Sequence, residues 1–550
     1  MSRIVFIVML FIAVGVFAQA QILTTIAPSS FIPGKSFLFA VEVENAGLDL
    51  FYSGNVSANS IGGQIENNAI AIRKGRAMVS VETDGGTALD ISTSSLTLQP
   101  SANQSTFEYH SGSTSGNLLF ETGSIHLIEG DLNVSQGDTL IIEAGCWVLL
   151  DEDVNISVEG HLQVEGTHSD PVAFTSNSSA AWGGITFGNG TGSFNFCLMS
   201  NGGGDDSQWF GHSDSQPVIR TNGGEVNINR TFIFDCEGKA LAAFNGRLVF
   251  SNGGISRCDT GGEFGNSFVG IRRSHVMEIP DADGLLEDDD NDGLYFFGAN
   301  ADSEPNVVDS CVFILGEDDG IDHNGAILQV LNTWIEGFAN EGIATSNENS
   351  VYIYNSLFKN CEQGIEAGYG SPTVTVDHCV MVENDYGLRF GDWYNWGCNG
   401  TITCTNSIMV NNTDNVYNFD VLSNGPVTGA LSVTYSIPTD SEYDAATGNV
   451  SGSPVFDSSY QLLPGSPGIA AASDGTNMGL ITPTLTSISN PQPARGSFVF
   501  TMVYNLQGQL VFESQQSLNI TEMNKVLSGG VYLVKDVYEF GHSTSKIAVQ

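Results

Sequence analysis

The chain has 550 residues and a formal net charge of −44, although only 15% of its residues are charged and 41% are hydrophobic. This excess of acidic groups excludes a nucleic-acid binder that works by neutralising phosphates, and the hydrophobic share excludes a disordered acidic tail. The 64 glycines, against 16 prolines, indicate an all-β chain with many turns.

Residues 1–20 have the pattern of a secretory signal peptide. Arg3 supplies a positive start, residues 4–17 an apolar run, and residues 18–20 a small-residue cleavage site. No later stretch approaches the roughly 18–20 apolar residues that cross a bilayer. The sequence therefore predicts a mature chain without a transmembrane span, either secreted or attached to the outer cell surface.

Residues 21–114 alternate apolar and polar residues between glycine and asparagine turns, which predicts a β-sandwich-like N-terminal region that caps the next domain. Residues 115–482 contain a repeat: an Asn or Asp, a short apolar strand, a polar turn, then Gly and an aliphatic residue. Its clearest copies begin at Asp309, Asn332, Asn355, Asp377 and Asn406.

These copies are 23, 23, 22 and 29 residues apart, shorter than two-helix repeats or propeller blades. The period predicts a solenoid of short strands in which each residue stacks on its equivalent one turn later. Asn and Asp at the bends accept a left-handed backbone, and stacked amides can form a hydrogen-bonded ladder. Residues 483–550 alternate again between glycine turns and predict a small β-sandwich.

Two resemblances follow from these segments. Residues 137–176 and 452–469 resemble the opening rungs and the last turn of right-handed parallel β-helices of the pectin-lyase-like superfamily. The segments YNLQGQLV, LSGGVYLVK and the terminal KIAVQ, after Asn490-Pro491, resemble the C-terminal sorting domain of type IX secretion substrates. They imply an all-β protein with a right-handed parallel β-helix at 115–482 and, at 483–550, a sorting domain read by the type IX secretion machinery.

Acidic residues recur in the turn that ends each repeat. Immediately before the repeat's glycine the register places Asp292, Asp319, Glu341, Gln363 and Tyr386. Two residues after the glycine it places Tyr295, Asp322, Ala344, Glu366 and Arg389. Because rungs are about 5 Å apart, stacked carboxylates should raise one another's pKa or recruit cations. Calcium suits such a column, since it accepts several carboxylates in loose geometry.

One stretch also matches the start of a D-x-D-x-D-G calcium loop, although Ala299 stands where an EF-hand needs its bidentate acid. The alternative is a solvated acidic turn. The predicted calcium ligands are Asp288, Asp290, Asp292, Asp318, Asp319, Asp322 and Glu341.

The β-helix resemblance implies two chemistries at this column. A lyase would hold calcium with acidic residues and use Arg389 as its basic group, whereas a hydrolase would set Asp319 or Asp322 opposite Glu366 across the scissile bond. No Gly-His-Gly or Arg-x-Lys segment accompanies the paired aspartates, which counts against the hydrolase. The candidate catalytic residues are Asp319, Asp322, Glu366 and Arg389.

Three aromatic residues, Trp393, Tyr394 and Trp396, lie within one loop. Since consecutive residues alternate faces, they cannot all enter one core, and exposed rings suit stacking on sugars. A rigid loop packed over the coil edge is the alternative. Of the nine cysteines, Cys398 and Cys404 are the best candidates for a disulfide, and the others read as core residues.

The sequence thus predicts a secreted or surface-attached β-helix protein that binds an extracellular polysaccharide or other surface polymer, with calcium as its cofactor. The alternatives are a calcium-dependent polysaccharide lyase, or related carbohydrate-active enzyme, and a structural adhesin.

Overall fold

The computed structural model describes residues 23–43, 54–56, 58–61, 70–83, 88–91, 96–101, 106–281, 290–391, 397–418, 430–440 and 442–481, and four strands between residues 498 and 549. The chain divides into two compact units, Met1–Ile481 and Thr482–Gln550. The predicted signal peptide lies outside the described residues. Among the described residues, no helix is long and apolar enough to cross a membrane, and the one helical element is a 3-10 turn at Asp206–Gln208.

The first unit is built on one 35-stranded sheet that winds into a coil with three faces. Successive strands pass from one face to the next, and each strand pairs in parallel with its equivalent one turn later. Apolar side chains such as Phe313, Ile335 and Phe358 point inward and form one continuous buried core. The prediction of an all-β, parallel β-helix fold is confirmed, and the architecture is that of the right-handed β-helix.

Face 1 consists of strands Trp147–Leu150, Val172–Ser176, Gly254–Cys258, His275–Ile279, Val312–Gly316, Trp334–Phe338, Leu357–Lys359, Val380–Val382 and Ile408–Val410. Face 2 consists of Ile156–Val158, Ile185–Phe187, Pro217–Asn222, Lys239–Phe244, Gly262–Gly265, Tyr295–Phe297, Asp322–Asn324, Glu341–Ser346, Gln363–Ala367, Tyr386–Phe390 and Asp414–Asn418. Face 3 consists of Leu118–Phe120, Thr139–Glu143, His161–Glu165, Arg247–Ser251, Phe268–Arg272, Asn306–Asp309, Leu328–Leu331, Ser350–Tyr354, Thr373–Asp377, Thr401–Thr405 and Ala430–Thr434. Longer strands run across corners of the coil: Glu108–Ser113, Ile125–Val134, Thr191–Met199 and Glu225–Cys236.

The N-terminal strands lie against the side of the coil. An antiparallel sheet of Leu23–Ile26, Ser36–Val43 and Arg76–Glu82 packs on face 1, where Arg257 donates to the Met78 carbonyl (2.7 Å). The remaining N-terminal strands are Ser30–Phe31, Gly54–Val56, Ala58–Ile61, Ile70–Ile72, Ala88–Ile91 and Leu96–Pro100.

Residues 442–481 follow the last coil strand without regular strands of their own. Leu462 and Met478 pack in the same apolar cluster as Val380 and Ile408, so this segment also covers face 1. The second unit, taken by itself, is an antiparallel sheet of Phe498–Tyr504, Leu510–Ser514, Gly530–Tyr538 and Gly541–Val549. Its role as a type IX sorting domain stays a prediction.

The corner from face 3 to face 1 has the same backbone conformation on ten successive rungs. One residue per rung has φ between 48° and 59°: Phe196, Arg230, Asn252, Arg273, Ser310, Asn332, Asn355, His378, Asn406 and Tyr435. Asn332 Nδ2 donates to Asp309 Oδ1 (2.9 Å) and Asn355 Nδ2 donates to Asn332 Oδ1 (2.8 Å), which forms the expected ladder. The predicted alignment is wrong by one residue at Asp309 and Asp377, because Ser310 and His378 hold the left-handed positions.

Replacing Asn332 should separate the two contributions of this corner. Asn332→Ala is expected to lower the free energy of unfolding by about 2 kcal/mol, about half because alanine adopts the left-handed backbone less readily than asparagine and half from the lost amide bonds. Asn332→Gly keeps the backbone freedom and should lose only about 1 kcal/mol. Urea unfolding of both variants measures the difference, and equal losses would show that backbone strain contributes nothing.

All nine cysteines are buried, and no disulfide joins them. The predicted Cys398–Cys404 bridge is therefore wrong. Cys404 belongs to the face 3 strand Thr401–Thr405. The backbone of Cys398 instead forms an isolated β-bridge with Gly370 on the preceding rung, and its thiol lies 3.8 Å from the Ala367 carbonyl. The two thiols serve different parts of the core.

Candidate functional site

A stack of glycines fixes the register at the corner that leads into face 2. Its members are Gly261, Gly293, Gly320, Gly342, Gly364 and Gly387. A β-carbon on Gly293 would lie 2.4 Å from the Gly320 carbonyl oxygen, and one on Gly320 would lie 2.6 Å from that of Gly342. Successive rungs approach too closely here for any side chain, so the residues that flank each glycine must stack on those of the next rung.

Both columns predicted from the repeat are present on face 2. In the column before the glycine, Glu341 pairs with Gln363, while Gly293 N donates to the Asp319 carbonyl (2.7 Å) and aligns Asp292 with it. In the column after the glycine, Tyr295 pairs with Asp322. The same column continues with Glu366 opposite Arg389.

Three carboxylates from two adjacent rungs converge where these columns meet. Asp292, Asp319 and Asp322 each offer an oxygen, and these oxygens all lie within 4.8 Å of one another. Asp292 is 3% exposed and Asp319 is 6% exposed. Calcium binds oxygen at about 2.4 Å, so one ion can contact atoms up to about 4.8 Å apart. The oxygen-only donor set and its spacing therefore fit a single Ca²⁺.

Burial and mutual repulsion raise the pKa of all three carboxyl groups. For each of them burial is the largest cause, since the ionised form loses its hydration. The second largest cause of the raised pKa is the charge of Asp322 for Asp292, and the charge of Glu341 for Asp319. Without a cation, the cluster is more stable when some of its carboxyl groups are protonated.

The other predicted calcium ligands surround this cluster in different ways. Asp318 is buried and accepts a hydrogen bond from Asn340 Nδ2 (2.8 Å). Glu341 donates its backbone N–H to Asp319 Oδ1 (2.7 Å). Asp290 is exposed, with its carboxylate 3.7 Å from His212 Nδ1, and Asp288 lies outside the described residues.

The candidate catalytic pair Glu366 and Arg389 lies farther along face 2. Arg389 is 1% exposed, and its guanidinium donates to Gln363 Oε1 (2.7 Å), Glu366 Oε1 (2.9 Å) and the Gly391 carbonyl (2.7 Å). Burial raises the pKa of Glu366 more than Arg389 lowers it. Arg389 is therefore a buried side chain that is hydrogen-bonded to its neighbours, and it does not lie on an open surface.

An open groove of about 600 Å³ lies beside the acidic cluster. Its lining includes His212, Glu263, Tyr295, Phe297, Asn324 and Glu348. The His212 side chain is 45% exposed, and its ring stacks on Tyr295 with centroids 4.9 Å apart and planes 7° apart. Asn324 Nδ2 donates to the Tyr295 hydroxyl (2.8 Å). The groove combines flat rings with hydrogen-bonding groups and adjoins Asp322, the strand partner of Tyr295.

The sequence prediction missed several of these groups. Glu263 stands two residues after Gly261, so the rule that found Asp322 also points to it in a weaker copy of the repeat. It forms a buried ion pair with Lys239. His212 and the exposed Trp209 belong to a non-repeating segment, residues 200–216, whose signal is a Trp-Phe-Gly-His run between acidic turns.

The predicted sugar-binding rings Trp393, Tyr394 and Trp396 lie outside the described residues. Their role stays a prediction. His323, next to Asp322 in sequence, points into the core and is buried, which lowers its pKa to about 4.

Comparisons with known proteins give only distant structural matches. No protein-family model matches the chain, and no curated protein matches it. Among solved structures, a periplasmic alginate epimerase is 11% identical, with 56% of this chain and 77% of that chain covered and a TM-score of 0.33. An α-1,3-glucanase catalytic unit from Streptomyces thermodiastaticus is 11% identical, with 81% and 98% covered and a TM-score of 0.30. An alginate lyase from Paenibacillus is 15% identical, with 54% and 93% covered and a TM-score of 0.22. Similarity at this level assigns no activity to the chain.

Proposed function

We propose that the protein binds an extracellular polysaccharide in the face 2 groove, with Ca²⁺ held by Asp292, Asp319 and Asp322 at its edge. The observation that carries the proposal is the juxtaposition of a stacked ring pair, in a groove of about 600 Å³, with three carboxylates whose oxygens lie within 4.8 Å. Pockets of roughly 300–1,000 Å³ are the usual size of small-molecule and cofactor sites.

Calcium resolves the electrostatic problem of the acidic cluster. When all three carboxylates are ionised, they repel one another and have lost their hydration, and both effects cost free energy. One bound divalent cation offsets both costs. An acidic polysaccharide would otherwise be repelled by a chain of net charge −44. A bound cation at the groove edge supplies the positive charge that a uronate or sulfate group needs.

The sequence patterns also support export. We infer that residues 1–20 direct secretion and that residues 483–550 are read by the type IX secretion machinery, which would place the groove in contact with extracellular polymers.

Affinity electrophoresis tests the binding proposal. Wild-type protein should be retarded in gels containing one of alginate, pectate or a sulfated glycan, and a chelator should abolish the shift. His212→Ala removes the exposed ring of the stack and is expected to weaken binding about fivefold, since such ring contacts contribute about 1 kcal/mol. His168→Ala, which removes an exposed imidazole on another face, is the matched control. Binding unchanged by both chelator and His212→Ala would contradict the proposal.

A second candidate, a carbohydrate-active enzyme of the polysaccharide lyase type or a related one, is favoured by the raised pKa values. A carboxyl group whose pKa is raised holds its proton to higher pH and can protonate a glycosidic oxygen, while an ionised neighbour serves as base. An enzyme would release new reducing ends or unsaturated products from the same polymers, and Asp322→Asn should abolish this release. A protein that only binds would be retarded in the gel but would release no products. A structural adhesin would neither be retarded nor release products.

A further inference from the structure

A second cluster of ligand-type side chains lies in the first two rungs of the coil. Glu108 pairs with His126 between strands Glu108–Ser113 and Ile125–Val134, and His110 lies two residues after Glu108, so its side chain projects on the same side. His110 Nε2 is 2.9 Å from His126 Nδ1, and Glu108 Oε2 is 3.9 Å from the same nitrogen. One donor atom from each of the three residues lies within 4.8 Å of the other two.

The surroundings of His126 fix both the orientation and the tautomer of its ring. The ring stacks on Phe120 with centroids 3.7 Å apart and planes 8° apart. Its Nε2 lies 2.5 Å from Ser124 Oγ, and that hydroxyl donates its own proton to the Glu121 carbonyl. Ser124 Oγ must therefore accept from Nε2–H, which leaves the lone pair on Nδ1, facing His110 and Glu108.

This arrangement is the one that holds histidine ligands in metal sites, where the distal ring nitrogen donates to a fixed partner and the other nitrogen binds the ion. Burial lowers the pKa of His126 to about 3 and also lowers that of His110. Because His126 Nδ1 carries the lone pair, His110 Nε2–H donates to it (2.9 Å) in the metal-free protein, and a bound ion would replace this proton between the two nitrogens.

We propose that Glu108, His110 and His126 form a Zn²⁺ site that joins the first two rungs of the coil. Two imidazoles and one carboxylate are a donor set that zinc accepts, with a fourth position open to water or another ligand. Glu108 is exposed, with 64% of its side chain accessible, so an ion can enter from solvent. The nitrogen donors separate this site from the oxygen-only cluster on face 2, which suits calcium. A solenoid needs closure at its ends, and a metal between the first rungs would supply it.

Isothermal titration of the untagged full-length protein with Zn²⁺, after chelator treatment, tests the site. We expect one tight equivalent, and Co²⁺ in its place should give the visible absorption of a low-coordinate ion. His110→Ala and Glu108→Gln remove ligands that are at least partly exposed, so the fold should survive. Each should raise the dissociation constant by more than about 10-fold, since losing a group that only orients a ligand already costs about 10- to 100-fold.

His168→Ala, an exposed histidine elsewhere on the coil, should leave the Zn²⁺ affinity unchanged, as should Asp319→Asn in the acidic cluster. This second control makes the result independent of the calcium proposal. The zinc proposal is overturned if wild type binds no tight equivalent, or if His110→Ala binds Zn²⁺ as tightly as His168→Ala does. His126 would then be a neutral imidazole whose only role is to cover the end of the core beside Phe120.

Discussion

Replacing Asp319 with Asn is expected to stabilise the calcium-free protein, by more at about pH 8 than at about pH 5, and to abolish its stabilisation by Ca²⁺. Asn keeps the oxygen that accepts the Glu341 backbone N–H and removes the charge. The measurement is the unfolding temperature of wild type and variant across pH, with chelator and with saturating Ca²⁺.

The sign follows from proton linkage. Burial, followed by repulsion from Glu341, raises the pKa of Asp319 above its unfolded value, so between the two values the folded state binds more protons than the unfolded state. Folding stability therefore falls as pH rises from about 4 through the folded pKa, by about 1.4 kcal/mol for every pH unit that separates the folded from the unfolded pKa. At low pH the neutral aspartic acid resembles Asn, and the two proteins should differ least.

Buried histidines act in the opposite direction but do not affect this comparison. Burial lowers the pKa of His126 and His323, so the unfolded chain takes up their protons first and stability falls as pH drops below about 6.5. Wild type and Asp319→Asn share these groups, so their contributions cancel in the difference. Glu225→Gln removes an exposed carboxylate on another face and is the matched control. Equal pH dependence in the two variants would contradict the buried-cluster account.

The parts of the fold that follow the repeat could be predicted from the sequence. Because rungs stack in register, the positions of Asp292, Asp319 and Asp322 relative to the glycines already placed them together. The predicted alignment of the repeat was wrong by one residue at Asp309 and Asp377, because it matched residues by type. The register is set by the left-handed backbone position, which Ser310 and His378 occupy on these rungs.

The parts of the site that depend on non-repeating segments could not be predicted. His212 reaches the groove from a loop that has no counterpart in other rungs, and periodicity carries no information about where such a loop folds back. The place of Arg389 in the column after the glycine was predictable, but its burial depends on the packing of Gln363, Glu366 and Gly391 around it. The His110–His126 pair escaped notice because both residues precede the clear copies of the repeat, and their separation of 16 residues does not match its period.

Gly320→Ala is expected to lower the free energy of unfolding by roughly 3 kcal/mol, as overpacking against a rigid neighbour does. The new β-carbon would lie 2.6 Å from the Gly342 carbonyl oxygen and 2.7 Å from Ile335 Cγ2. Gly270→Ala is the matched control, since Gly270 lies in a strand of the same coil and its nearest contacts would be at 3.8 Å. Chemical denaturation followed by circular dichroism measures both variants.

The Gly342 carbonyl cannot move aside to accommodate a methyl group, because it accepts the backbone N–H of Ile321 (3.2 Å), while Gly320 N donates to the Glu341 carbonyl (2.8 Å). Relief of the clash must move the rung of Gly320 away from that of Gly342, and this displaces Asp319, whose Oδ1 accepts the Glu341 backbone N–H across the same gap. The variant should therefore lose Ca²⁺ affinity together with stability, whereas Gly270→Ala should keep both. If Gly320→Ala is as stable as wild type, the rungs can spread at this corner, and the close glycine stack does not determine the spacing of the carboxylates.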